Sequence, residues 1–561
     1  MLAYHFYTLS KPVIPILICR VVSKDLTFFG ASAAVRRNLF ACKYNVFPRI
    51  YVHVVLMFLY LHTFFVTFVV NKQHFHLYHY HMTAFLVSLA ILIGGYFIYG
   101  YIVERVIGID PARTTPAYNL RDDIDFVPMP TWKVFLIQFL NIAGLGPIFG
   151  AIMGIMFGPA AFLWIVFGTI FAGAVHDFVS AMISMRSGGI SLPEIVGNEL
   201  GSTIKNVMRG FSLLLLILVG TVFVVSPAQL IAGMTPDWMT ETIWVAVILG
   251  YYFLATALPI DKLIGNLYPL FGVALLFMAF GLMFVMLFGD VTIPDGFAQG
   301  LGSRRADSVP VFPMMFVSIA CGAISGFHAT QSPMMARCLK NERMARPVFY
   351  GAMVAEGIVA LIWAAATIAF TGGYEGLSEY MANGGTAGSL VKDISMSWLG
   401  AVGGVLVIIG VIAAPISTGD TAFRSARLIL ADFLHLSQTK VLRRFMLCVP
   451  VFLAGVGLMM IDFNVLWRYF AWCNQTLAVF TLWACSVWLA RRGKTYIITV
   501  VPAMFMTCVS ISYLLCAPRP EGLGLPYQFA VGAGCAAAVI ILGLFVRWKM
   551  SLSRIQLPDE A

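Results

Sequence analysis

An all-α, polytopic membrane protein is the fold class predicted by three observations. Of the 561 residues, 60% are hydrophobic and only 11% charged, with a mean hydropathy of +0.87; soluble globular chains carry about 25% charged residues. Apolar runs of about 18 residues or more recur along the chain, each long enough to cross a bilayer core. The connections between the runs divide by charge, with arginine and lysine concentrated in alternate loops. The short alternating segments of a transmembrane barrel are missing.

From Met82 onward, apolar runs and charged punctuation predict thirteen helices. They lie near 83–104, 132–157, 159–185, 205–232, 240–258, 263–288, 311–336, 347–371, 397–431, 441–461, 464–490, 494–516 and 526–548. One side of this array collects 22 Lys and Arg, among them Arg337, Lys340, Arg343, Arg346, Arg491 and Arg492. The other side holds 5: Arg304, Arg305, Lys392, Arg468 and Arg519. Cytoplasmic loops are the basic ones, so the C-terminus is expected in the cytoplasm. The same bias accounts for the net charge of +10, which therefore points to a lipid bilayer and not to nucleic acid. Ten scattered cysteines without a CxxC pair indicate neither a metal site nor a disulfide framework; those in apolar runs, such as Cys321, read as small hydrophobes.

Residues 1–81 differ from the rest. They hold seven of the ten histidines and eight basic residues against one acid, Asp25. The run "IYVHVVLMFLYLHTFFVTFVV" is long enough for one extra helix, and "NKQHFHLYHYH" has no metal-ligand spacing. The expectation is an atypical extension, with the true start at Met82, ahead of a single transmembrane domain over 82–561.

Within that domain, "NIAGLGPIFGAIMG" (141–154) interrupts an apolar helix. Its Gly-Leu-Gly-Pro run weakens the helix, and Pro147 removes a donor. A bilayer tolerates this only where the segment is buried in protein or lines a cavity. Gly146, Gly150, Gly154 and Gly158 then recur at spacing four, a face for close helix contact. About 180 residues later, "SIACGAISGFHATQSP" repeats the theme. Ser318, Gly322, Gly326 and Thr330 recur at spacing four, with Ser325, His328 and Gln331 as further polar groups. Counting from the helix at 132, the first and sixth helices are both interrupted. Five helices per half is odd, so the halves have opposite topology: an inverted 5+5 repeat over about 132–288 and 311–490, with one extra N-terminal and two extra C-terminal helices. Paired broken helices in inverted halves point to the binding site of a secondary transporter.

The expected substrate-binding set is therefore Ala143, Gly144, Gly146 and Pro147 with Ser325, Gly326, His328, Thr330 and Gln331. A substrate carboxylate would meet the positive ends of the second half-helices. Ionisable residues inside apolar segments are functional candidates. His176 and Asp177 read as a proton relay, or Asp177 pairs with a basic loop residue near the inner interface. Glu356, a lone acid in an apolar run, is a second proton-carrier candidate. Asp420 reads as an ion- or proton-coupling residue, or as a structural partner of Arg424 at i+4. Ser417 and Thr418 offer hydroxyls for Na⁺ against carbonyls near Ala143 and Gly146, by analogy with other 5+5 transporters. Asn474 and Gln475 read as bonds to a neighbouring helix, or as caps of the pathway. In "SGGISLP", Ser191 reads as a helix N-cap with Glu194 in the first turn. No cofactor is expected beyond a coupling Na⁺ or H⁺. An ATP-binding P-loop is missing, and His176 and Asp177 lack the nucleophile an enzyme would need.

These stretches, with "IDPARTTPAYNLRDDIDFVPMP" (109–130), "WIVFGTIFAGAVHDFVSAMISMRSGGISLPEIV" (164–196), "STGDTAFRSARLILAD" (417–432) and "LWRYFAWCNQTLA" (466–478), resemble the carbon starvation protein A (CstA) family. The resemblance spans nearly everything after Met82 and implies a short-form member. It implies an APC/LeuT-like fold, that of the amino acid–polyamine–organocation superfamily. It also implies import of a small-molecule substrate, a peptide or pyruvate, across the bacterial inner membrane when preferred carbon is scarce. The alternative is a membrane nutrient sensor without net transport.

Overall fold

A computed structural model describes residues 82–122, 125–255, 260–289, 291–294, 296–434, 436 and 441–555. The expectation for residues 1–81 lies outside the described residues.

All described elements of regular structure are helices. They are α1 (Thr83–Ile107), α2 (Thr131–Ile142), α3 (Gly146–Ile155), α4 (Ala160–Arg186), α5 (Leu192–Leu200), α6 (Ser202–Ala232), α7 (Glu241–Ala255), α8 (Ile260–Phe288) and α9 (Val311–Ser318). Then come α10 (Gly326–Ala336), α11 (Gly351–Phe370), α12 (Tyr374–Ala382), α13 (Ala387–Leu406), α14 (Ala414–Phe433), α15 (Val441–Leu458), α16 (Phe463–Arg491), α17 (Ile497–Cys516) and α18 (Tyr527–Ile555). Among the described residues, nine helical segments are long and apolar enough to cross a membrane, or ten with the bent pair α2–α3. Each of the thirteen expected segments is helical, three of them as α7, α15 and the broken pair α9–α10, which fall outside that length and apolarity test.

Exposure sorts the helices. In the apolar windows of α4, α6 and α16, 83–89% of residues are buried; in α18 only 22% are. The exposed flanks carry large apolar side chains, including Phe97, Phe277, Phe280, Phe284 and Ile540. A soluble protein would not leave such a surface to water, so these flanks face lipid, and the chain is a multi-pass membrane protein. Buried polar residues lie on α4, α6, α11 and α16 and also on α2, α10 and α14.

One boundary and one helix cap depart from expectation. The segment expected from 397 begins at 387, where Thr386 and Ser389 form a reciprocal capping box. Its first turns bury Gly388, Leu390, Val391 and Ile394 on one face and end at Gly400, at φ +58°. Tyr380 on α12 donates to Asp393 Oδ2 at 2.7 Å. This amphipathic stretch was hidden by its polar half. The helix after "SGGIS" does begin at Leu192, but the Ser191 side chain makes no cap bond. Glu194 instead pairs with Lys205, and with Arg209 at 2.7 Å. Burial raises the Glu194 carboxyl; the two cations outweigh it and hold the group below the ordinary carboxylate range.

Candidate functional site

Both interruptions are real breaks, and they meet. Between α2 and α3 the chain leaves the helix over 143–145 and bends by 45°. Between α9 and α10 it is unwound over 319–325, so Ser318, Gly322, Gly326 and Thr330 do not share one helical face, as their spacing had suggested. Gly322 sits at φ +91°, a conformation that suits a residue without a side chain.

The glycine face of α3 is where the breaks touch. A side-chain carbon at Gly146 would lie 2.1 Å from Cys321 Cβ, one at Gly150 3.0 Å from the Ser318 carbonyl oxygen, and one at Gly154 2.1 Å from Ile319. Gly158 departs from the series: it lies past the end of α3 at φ +102°, against Arg304 and Gly302. Pro147 packs near Gly322, while Gly144 faces Phe223 and the Thr418 hydroxyl. Ala143 is buried and closes α2 through its N–H to the Phe139 carbonyl at 2.7 Å.

Neighbouring side chains satisfy the unwound backbone, as a membrane interior demands. Thr169 donates to the Gly322 carbonyl at 2.9 Å and Trp164 to that of Ile319 at 3.3 Å. Gln475 donates to the Phe316 carbonyl at 3.1 Å. Asn474 Oδ1 accepts from Ser325 Oγ and from the Phe327 N–H, each at 3.1 Å. Asn474 thus caps the start of α10 from another helix, and this N–H is already satisfied in the packed conformation. Both α16 amides bond a neighbouring segment.

Buried acids and imidazoles run from α4 to the second break. His176 Nδ1 lies 2.7 Å from Asp177 Oδ1, and His328 Nδ1 lies 3.1 Å from Asp177 Oδ2. His328 Nε2 faces Glu356 Oε2 at 3.5 Å. Glu356 Oε1 accepts the Gly322 N–H at 3.1 Å. All four side chains are fully buried. An ionised Asp177 can accept from both Nδ1–H groups, and His328 Nε2 is the ring nitrogen that faces Glu356. The basic loop residue Arg186 does not reach Asp177; it makes a two-point pair with buried Glu342 at 3.0 and 2.8 Å.

The remaining candidates fall into two groups. Thr330 donates to the Phe327 carbonyl at 2.6 Å and accepts from Gln331 Nε2 at 2.9 Å. Gln331 Oε1, both amide atoms of Asn141 and Gln138 Oε1 are buried without hydrogen-bond partners. The α14 hydroxyls bond backbone carbonyls. Thr418 donates to Leu140 O at 3.3 Å, and Ser417 to Ala414 O at 2.6 Å. Leu140, not Ala143 or Gly146, is the α2 carbonyl at Thr418. Asp420 pairs with Arg424 at 3.4 Å, and Arg424 also donates to Ala255 O at 2.9 Å. Both members of the pair are buried.

Sequence reasoning missed Cys321, which it took for an ordinary hydrophobe, and Gln138. Neither has a periodic signal, because an unwound segment and a helix crossing set their neighbours.

The family model of the carbon starvation protein CstA matches residues 80–237, 228–402 and 364–513. An uncharacterized membrane protein of Haemophilus influenzae is 42% identical over 352 residues, covering 54% of this chain and 95% of its own. The peptide transporter CstA of Bacillus subtilis is 30% identical, over 51% of this chain and 58% of its own. The pyruvate/proton symporter BtsT of Escherichia coli is 27% identical, over 49% and 47%. The matches thus span about half the length of these two named transporters. Among solved structures, a manganese transporter of Eremococcus coleocola aligns at a TM-score of 0.47 and 13% identity, over 77% of this chain and 98% of its own.

Proposed function

The chain belongs to the carbon starvation protein CstA family, and on that premise we propose that it is a proton-coupled secondary transporter importing a peptide or pyruvate across the bacterial inner membrane. The observation that carries the coupling is the Asp177–His328–Glu356 chain, whose last carboxylate holds the Gly322 N–H of the second break. A charged acceptor makes a hydrogen bond roughly twice as strong as a neutral one. A proton passing from His328 Nε2 to Glu356 therefore loosens the grip on the break and frees it to move. Loss of the proton restores it.

In this reading 132–288 and 311–490 are inverted repeats and the C-terminus is cytoplasmic. The substrate sits between the breaks, against the unpaired Asn141 amide and the unpaired Gln331 Oε1 and beside Thr330, with its carboxylate at the start of α3 near Gly144 to Ile148. The start of α10 joins in when Asn474 lets go of the Phe327 N–H. Sodium at Thr418 is a second reading, supported by the 3.3 Å approach of its hydroxyl to Leu140 O.

Glu356→Gln tests the coupling. The variant keeps the acceptor for Gly322 but holds no exchangeable acidic proton. Substrate-driven alkalinisation of the outside should vanish while exchange of labelled for unlabelled substrate persists. Wild-type alkalinisation in the variant would sink the role of Glu356.

A further inference from the structure

Cys321, His328 and Glu356 present ligand atoms that all lie within 4.8 Å of one another, on three buried side chains. They come from the second break, the start of α10 and the second turn of α11. His328 Nε2 and Glu356 Oε2 have no hydrogen-bond partner and stand 3.5 Å apart. We propose that these three residues form a binding site for a borderline-soft divalent cation of the Zn²⁺ class.

The donor set is one thiolate, one imidazole and one carboxylate, a combination that zinc accepts. Zinc–ligand bonds of about 2.0–2.3 Å in a tetrahedron put ligand atoms roughly 3.3–3.7 Å apart. The His–Glu pair already has that separation. The widest separation needs to close by about 1 Å, within reach of a side-chain rotation. The supporting shell is in place. Asp177 Oδ2 holds His328 Nδ1 at 3.1 Å, so that Nε2 points into the site, and the Gly322 N–H orients Glu356 through its other oxygen at 3.1 Å. Carboxylate–histidine pairs of this kind orient metal-binding imidazoles. Gly146 makes room for the sulfur: a side-chain carbon there would lie 2.5 Å from Cys321 Sγ. Thiolate and carboxylate neutralise the dication, and three protein ligands leave a fourth position open.

A bound cation would occupy the atoms that exchange the proton and would tie the break to α10 and α11. Zn²⁺ therefore inhibits transport. This consequence, though not the binding, rests on the transport reading above.

The test uses the full chain, purified and stripped of metal, with Co²⁺ as the spectroscopic probe and Zn²⁺ as competitor. A thiolate-to-cobalt charge-transfer band is expected in the wild type. It should be lost in Cys321→Ser, and Zn²⁺ should compete about tenfold or more less tightly in Glu356→Gln. Residues 1–81 carry seven histidines, so the readout is the difference between wild type and variants. An unchanged band in Cys321→Ser, or unchanged competition in Glu356→Gln, would overturn the site. Proton-driven uptake measured in chelator separates the two readings. Uptake without a Cys321-dependent band refutes the metal site alone; the band without uptake supports the site and counts against transport.

Discussion

Replacing Gly146 by alanine probes the contact between the two breaks with a single carbon. The added Cβ would stand 2.1 Å from Cys321 Cβ and 2.5 Å from its sulfur, against ordinary contacts of 3.4–4 Å. The breaks would have to separate by about 1.3 Å, the difference between 3.4 and 2.1 Å. Overpacking on this scale costs about 1–3 kcal/mol, which depletes the packed conformation roughly 5–150-fold. Counterflow of labelled substrate into proteoliposomes, corrected for inserted protein, is the assay. Gly146→Ala should slow the initial rate at least about fivefold. Cys321→Gly removes the atoms that are struck, so the double variant should recover much of the loss. Unimpaired counterflow in Gly146→Ala, or no recovery in the double variant, would refute this packing as the basis of the working cycle.

Two further outcomes follow from the supporting groups. Asn474→Leu leaves the Phe327 N–H and the Ser325 O–H buried without an acceptor, at about 1–3 kcal/mol each; thermal unfolding in detergent should begin at a clearly lower temperature, and an unchanged Tm would show that other groups satisfy them. Glu194 has a carboxyl held below the ordinary range, so its stabilisation is present above the unfolded pKa near 4.5 and is lost as pH falls through the folded value. Glu194→Gln should therefore melt below the wild type at pH 7, by about 1 kcal/mol or less per ion pair. The difference should close on acidification below pH 4.5, and one that persists there would contradict the assignment.

The helices and the first break were legible because each depends on local chemistry. Apolar runs give the spans, and Gly144-Leu-Gly-Pro gives the break. The charge pairing of Asp420 with Arg424 follows from spacing on one helix. His176 and Asp177 were visible as ionisable residues in an apolar run. Their connection to His328, 151 positions away, was not, because it depends on how α4 crosses α10. Glu356 was visible as a lone acid, but its bond to the Gly322 N–H depends on an unwound segment that no periodicity describes. The small residues at spacing four around Gly322 misled for the same reason: spacing four has meaning only where the helix continues. Cys321 looked like any buried cysteine until the fold set it against Gly146, His328 and Glu356.

The most direct measurement is uptake of labelled pyruvate, alanine and a dipeptide into proteoliposomes under an imposed proton or sodium gradient. Concentrative uptake of pyruvate or the dipeptide, driven by the proton gradient, indifferent to sodium and absent in Glu356→Gln, is expected. Uptake driven by sodium alone, or no uptake of any of the three by folded, inserted protein, would contradict proton-coupled import of a peptide or pyruvate.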